Sequence, residues 1–288
     1  METPFYQVDV FSDQLFGGNP LAVFLQGQDF KETQFQQVAR EMNLSETTFV
    51  LPSSHAEADF DVRIFTPEKE IPFAGHPTLG TAYILRHSGM ATTTALTLNF
   101  KAGLIPVQVR DDEKIFMTQP PGKILQTFSD KERVSRVLGL NLNELDGTLP
   151  IQTVSTGFPA LLVPVVSLDA MTRIQLDLPL LKSLLDEVRV DMIYPFSPET
   201  CDAGNSIHAR GFAPFIGIQE DPATGSVAGA LGYYLNEKDP ARRKITIEQG
   251  YEIKRPGHIF VEIGSGKANP IHVGGATRMV FKGSLYLE

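Results

Sequence analysis

Residues 75–83 read Gly-His-Pro-Thr-Leu-Gly-Thr-Ala-Tyr, and residues 225–233 read Gly-Ser-Val-Ala-Gly-Ala-Leu-Gly-Tyr. Laid over one another, the stretches share the opening glycine, the closing tyrosine and a run of small residues between them. Each reads as a glycine-led helix, over Gly75–Arg86 and Gly225–Leu235. The flanks match as well. Arg63-Ile-Phe-Thr-Pro67 precedes the first helix as Arg210-Gly-Phe-Ala-Pro214 precedes the second, and Leu96-Thr-Leu98 follows as Ile245-Thr-Ile247 does. The lag is about 150 residues each time, and several matches in one order mark an internal duplication.

Around each helix the pattern is mostly strand. In the first half Phe5–Phe11, Leu21–Phe24, Phe49–Leu51 and Asp61–Phe65 are apolar or alternating runs, and Leu96–Phe100 with Ile105–Arg110 reads as a hairpin. A helix is predicted over Lys31–Met42, where Phe35, Val38, Ala39 and Met42 fall at helical spacing. The second half repeats the order. Ile151–Val154, Ala160–Val165, Met192–Pro195 and His208–Phe212 are strands, Leu178–Val188 is an amphipathic helix, and Ile245–Ile247 with Ile259–Ile263 forms a hairpin. The expectation is an α+β protein of two similar domains, 1–122 and 123–288, joined near residues 118–128. The C-terminal strand is free to pack back across. A cleft between such domains is a favoured place for a small-ligand site.

Composition narrows the function. With 42% hydrophobic and 20% charged residues, a chain of 288 residues can bury a substantial core. The net charge of −9 argues against a nucleic-acid partner bound through its phosphates. The start, METPFYQVDVF, lacks a basic region followed by a long apolar run, and no stretch approaches the roughly 18 apolar residues of a membrane span. A single cysteine, Cys201, cannot form an intramolecular disulfide. These features fit a cytoplasmic protein with no membrane partner.

The two helix starts carry the first chemistry. The first turn of a helix leaves backbone N–H groups unpaired, and its dipole favours negative charge. Ala74-Gly-His-Pro-Thr78 and Ala223-Thr-Gly-Ser-Val227 could together receive a small anion such as a carboxylate, with Gly75 and Gly225 allowing close approach. Close helix packing explains the same glycines. Neither start has the spacing of a nucleotide-binding loop, so no nucleotide cofactor is expected. The histidines are scattered, with no metal-binding spacing, and Cys201 reads as a bystander thiol.

Three residues are candidate acids and bases. Glu46 lies in Asn43-Leu-Ser-Glu-Thr-Thr-Phe-Val50, between a helix end and an apolar strand. Partial desolvation there would suit it to give and take protons, although an exposed loop glutamate has the same local sequence. His76 stands at a helix start, where the dipole favours a neutral ring. Asp221 precedes Pro222 and could cap the helix that follows. Thr224 and Ser226 are natural hydroxyl donors to a bound carboxylate, and equally natural capping residues.

Longer segments then resemble a known family. Val8-Asp-Val-Phe-Ser12, Gly18-Asn-Pro-Leu-Ala-Val23, Arg40–Val50, Phe65-Thr-Pro67, Pro72–Ala82 and Glu220-Asp-Pro-Ala-Thr-Gly-Ser226 look like PhzF, of phenazine biosynthesis, over nearly the whole chain. The resemblance implies the diaminopimelate-epimerase-like fold: two pseudo-symmetric domains, each a barrel-like sheet around a central helix. It implies an active site between the domains, no cofactor and a homodimer. Carried over position by position, it makes Glu46 the general acid/base, with His76 and Asp221 orienting and polarising the substrate. Gly75, Gly225 and Ser226 would help to bind the substrate carboxylate.

The family reaction moves a proton from C3 to C1 of trans-2,3-dihydro-3-hydroxyanthranilate, giving an enol that tautomerises to a ketone. One carboxylate suffices if it works on a single face. Cysteine-dependent epimerases of this fold carry a thiol in each half; around Ala74 and Thr224 there is none, which excludes that mechanism. The resulting expectation is a cofactor-independent isomerase acting on a small, cyclic carboxylate substrate. A racemase or epimerase using Glu46 and Asp221, and a non-catalytic binding or interaction protein that keeps the fold, are the alternatives.

Overall fold

The structure is a computed structural model that describes residues 2–266 and 269–287. It is a mixed α/β fold, rich in sheet and with few helices. The chain divides into two compact units, Met1–Gln119 with His272–Glu288, and Pro120–Ile271.

In the first unit β1 (Glu2–Val10) and β2 (Asn19–Phe24) pair antiparallel, and helix α1 (Glu32–Met42) leads to β3 (Glu46–Pro52), which runs parallel to β2. β4 (Phe60–Phe65) pairs antiparallel with β3 and with the short β5 (Glu70–Ile71). After helix α2 (Gly75–His87) come β6 (Ala95–Phe100), β7 (Gly103–Val109) and β8 (Ile115–Gln119), an antiparallel meander. The α1 stripe is read correctly from sequence: Phe35, Val38 and Ala39 are buried, stacked into a cluster with Phe24, Phe30, Phe49 and Phe65. Five phenylalanines form most of that cluster, with ring centroids 4.8 Å apart for Phe35 and Phe49.

The second unit opens with β9 (Lys123–Phe128), in a stretch that sequence reading treated as the junction. A short helix α3 (Lys131–Leu138), β10 (Ile151–Ser155) and β11 (Pro159–Pro164) follow. Helices α4 (Leu168–Arg173) and α5 (Leu178–Val188) cross to β12 (Ile193–Ser197), parallel to β11. The strand expected at His208–Phe212 is broken in two, β13 (Ile207–Ala209) and β14 (Gly211–Ala213), before β15 (Ile218–Asp221). Helix α6 (Gly225–Lys238) and the hairpin β16 (Lys244–Gln249) and β17 (Gly257–Ile263) complete the unit. Its apolar centre is Val134, Val137, Leu138, Leu161, Val163, Leu181, Leu184 and Ile193 with their neighbours.

β18 (Ile271–Gly275) and β19 (Thr277–Tyr286) bring the chain back to the first unit, β18 against β8 and β19 antiparallel to β1 from Glu2 to Val10. The first unit is thus built from both ends of the sequence.

Helices α2 and α6 are the two predicted from their small residues. Their burial is not a stripe. In α2 every residue from Gly75 to Ala82 is buried, and in α6 every residue from Gly225 to Gly232. α2 packs on β1, β2, β3, β7, β8 and β19, and α6 on β10, β11, β16 and β17. A helix surrounded in this way needs small side chains. A Cβ at Gly80 would lie 2.6 Å from Leu21 Cδ2, and one at Gly232 would lie 2.5 Å from Val261 Cγ1. Among the described residues no helix is long and apolar enough to cross a membrane.

Candidate active site

Glu46 is not a loop residue. α1 ends at Asn43, whose left-handed backbone (φ 50°) turns the chain sharply, and asparagine tolerates that region far better than bulkier residues do. Three residues later β3 has begun, and its first residue is Glu46, in register with Leu21 of β2. Pairing starts earlier than the apolar run suggests, because Thr47 and Thr48 are buried between β2 and β4. Glu46 is only 6% exposed.

His76 is the second residue of α2 and 4% exposed. Its Nε2 lies 3.2 Å from Glu46 Oε2, within ion-pair distance but off the line of a good hydrogen bond. The ring is hydrogen-bonded to the backbone of Pro20, and proline offers only a carbonyl, so the imidazole donates. The donor is Nδ1, since Nε2 makes no well-aligned bond. Burial pushes His76 down to about 3, outweighing the Pro20 bond that favours the cation. At neutral pH the ring is therefore neutral, and the nitrogen facing Glu46 carries a lone pair. With no proton between them, two lone pairs would oppose each other; one proton makes the contact attractive.

In the second unit β15 ends at Asp221, and Pro222 and Ala223 lead to Thr224, the N-cap residue of α6. Asp221 and Thr224 are 6% and 5% exposed. Thr224 makes no side-chain cap; its hydroxyl donates to Asp221 Oδ2 at 2.6 Å. Gly225 and Ser226 form the first turn of α6, both buried, and the Ser226 carbonyl accepts from Thr156 Oγ1 at 3.0 Å. Gly75 opens α2 as Gly225 opens α6. The structure so brings Glu46 to His76, and Asp221 to Thr224.

Sequence reading passed over three residues. Pro20 lies in a segment quoted for the resemblance but given no task. Gln249 and Tyr194 are wholly buried; Gln249 is hydrogen-bonded to the Asp221–Thr224 turn, and the Tyr194 hydroxyl donates to Gln249. Neither stands in a motif, and only strand register brings them there.

One histidine, His208, stands in a cluster of groups that could hold a metal. Cys201 Sγ, His208 Nδ1 and Glu248 Oε1 lie within 4.8 Å of one another. Their bonding argues for a clamp rather than a metal centre. His208 Nδ1 meets Glu248 Oε1 at 2.7 Å and its Nε2 meets Glu252 Oε1 at 3.0 Å. Burial opposes a charge on this ring, but the two carboxylates together push His208 up to about 9. A ring protonated on both nitrogens offers no lone pair to a metal. Glu248 also accepts from the Cys201 and Asp202 N–H groups and from Asn205, so it pins the 201–205 turn. Burial and the neighbouring Glu248 charge push the Cys201 thiol up to about 11, the opposite of an activated nucleophile.

Comparison with known proteins gives this geometry its setting. The sequence profile of the PhzC-PhzF family, described as "Phenazine biosynthesis-like protein", matches residues 8–283. An uncharacterized isomerase of Clostridium acetobutylicum is 35% identical over 297 residues, covering 98% of each chain. The trans-2,3-dihydro-3-hydroxyanthranilate isomerase of Pseudomonas aeruginosa is 34% identical over 289 residues, covering 97% of this chain and 98% of its own. The crystal structure of a PhzF-family phenazine biosynthesis protein from Bacillus anthracis superposes with a TM-score of 0.91, at 31% identity and complete coverage of both chains. The chain is therefore a member of the phenazine biosynthesis-like (PhzF) family of isomerases.

Proposed function

We propose that this isomerase moves a proton on a small, cyclic, carboxylate-bearing substrate without a cofactor, and that Glu46 is the group that takes the proton and returns it. The observation that carries this reading is the buried contact of Glu46 Oε2 with His76 Nε2 at 3.2 Å. A carboxylate kept from water transfers protons at lower reorganisation cost, and the neutral imidazole beside it offers a lone pair to the protonated carboxyl without itself taking up charge. A single carboxylate acting on one face returns the proton to a second carbon of the same face, which is an isomerisation. Asp221 polarises the substrate, and the first turns of α2 and α6, at Gly75, Gly225 and Ser226, offer N–H groups suited to its carboxylate. The same reading takes each unit as a barrel-like sheet around its central helix, supported by the all-round burial of α2 and α6.

Two features support a substrate like that of the Pseudomonas aeruginosa relative: full-length similarity, and a family whose description names phenazine biosynthesis. The test is to incubate the purified protein with trans-2,3-dihydro-3-hydroxyanthranilate in deuterium oxide. Turnover should give the isomerised product, with solvent deuterium entering it to the extent that the proton on Glu46 exchanges before its return, and Glu46→Gln should abolish turnover. Full turnover by Glu46→Gln would sink the assignment.

A further inference from the structure

Gln249, the last residue of β16, is wholly buried, and its amide makes four hydrogen bonds. Nε2 donates to the Asp221 carbonyl at 2.7 Å and to Thr224 Oγ1 at 2.9 Å. Oε1 accepts from the Tyr194 hydroxyl at 2.8 Å and from the Thr224 N–H at 3.1 Å. Two of these partners are backbone groups with one role each. A carbonyl can only accept and an N–H can only donate, so the orientation of the amide follows from them. Both donors and both lone pairs of the side chain are used.

The direction of the remaining bonds then follows. Thr224 Oγ1 receives a proton from Gln249, so its own proton goes to Asp221 Oδ2, 2.6 Å away. Donation runs one way, from Tyr194 to Gln249, to Thr224, to Asp221. Burial and the charge of Asp221 push the Tyr194 phenol up, which keeps it protonated and able to start the chain. Backbone walls the network closely: a Cβ at Gly211 of β14 would lie 2.8 Å from Thr224 Oγ1 and 3.2 Å from Gln249 Nε2.

We propose that Gln249, with Tyr194 behind it, is a positioning residue that orders the Thr224 hydroxyl and thereby holds the Asp221 carboxylate in one orientation for the substrate. This rests on Asp221 acting on the substrate, as in the proposed function. A glutamine is needed at this position because only a primary amide supplies two donors and an acceptor at these points. Glutamate has the shape but, ionised, has no donor. Thr224 is placed in the same way: its hydroxyl belongs to Asp221.

The experiment compares Gln249→Glu, Tyr194→Phe, Thr224→Val and Thr224→Ser, with trans-2,3-dihydro-3-hydroxyanthranilate as substrate and rates taken per folded molecule. Gln249→Glu and Thr224→Val should lower kcat by about 10- to 100-fold, the usual cost of losing an orienting partner, with KM within about 3-fold. Thr224→Ser should restore kcat to within about 3-fold of the parent, because it returns the hydroxyl. A role confined to stability would lower the folded fraction and leave kcat unchanged; unchanged kcat in both Gln249→Glu and Thr224→Val overturns the proposal. Should Gln249→Glu fail to fold, the Thr224 pair and Tyr194→Phe give the same answer. Crystal structures of Gln249→Glu and Tyr194→Phe supply a readout that needs no substrate. The Thr224 hydroxyl is expected to leave Asp221 Oδ2 in Gln249→Glu, and retention of the bond in both variants overturns the idea. Failure of the Glu46 reading would show as turnover by Glu46→Gln, and would leave the Gln249 comparison intact.

Discussion

Glu46 and His76 come from different elements, the first residue of a strand and the second residue of a helix, and meet with 3.2 Å between Oε2 and Nε2. The Pro20 carbonyl orients the ring so that its bare nitrogen faces the carboxyl. The contact follows from the packing of α2 against β2 and β3.

Replacing Glu46 by Gln keeps the shape and removes the titrating oxygen. A fall of about 100-fold or more in kcat is expected, the range by which a positioned acid/base assists proton transfer. Glu46→Asp, with its carboxyl drawn back by one methylene, should lie between the parent and Glu46→Gln. Initial rates of product formation measure both variants on one scale.

His76 should leave no mark on the pH dependence near neutrality. Burial holds the ring down to about 3, so it stays neutral wherever the enzyme is assayed. His76→Asn is expected to lower kcat/KM at every pH from about 5 to 9 while the profile keeps its shape. A limb of the profile that disappears in His76→Asn would contradict the neutral-ring assignment.

Stability should peak near pH 6.5. His76 resists protonation in the fold but not in the unfolded chain, whose histidine titrates at 6.5; as pH falls below that, the unfolded state binds the extra proton and stability is lost down to about 3. His208 acts in the opposite sense. Its folded value is raised to about 9, so its contribution is complete below 6.5 and is lost as pH rises to about 9. Each limb carries about 1.4 kcal/mol per pH unit at most. Urea midpoints from pH 4 to 10 test this, and His208→Gln should flatten the alkaline limb. The same variant leaves the buried Glu248 and the part-buried Glu252 without their cation, at a cost of about 3–5 kcal/mol.

Gly232→Ala probes the crowding around α6. The added methyl would meet Val261 Cγ1 at 2.5 Å, so a loss of about 1–3 kcal/mol is expected, read as a lower melting temperature. Adding Val261→Ala should return much of the loss attributable to the clash. If the double variant merely sums two losses, the contact is not the cause.

Sequence alone determined the elements whose signals are local. The apolar spacing of Phe35, Val38 and Ala39 marks α1, and the small residues after Gly75 and Gly225 mark two helices that the fold buries on every side. The resemblance could name Glu46, His76 and Asp221 from short segments. Tertiary structure alone decided their environment. Glu46 has the local sequence of an exposed loop residue, and only its pairing beside Leu21 buries it. Gln249 ends a strand and precedes a glycine, with no motif around it, yet it binds a residue 28 positions earlier. The return of β19 to β1 joins the two ends of the chain, which no window of sequence contains. The physical reason is common to all three. Helix signals depend on neighbours three and four residues away, whereas burial and the direction of a buried hydrogen bond depend on register between strands distant in the chain.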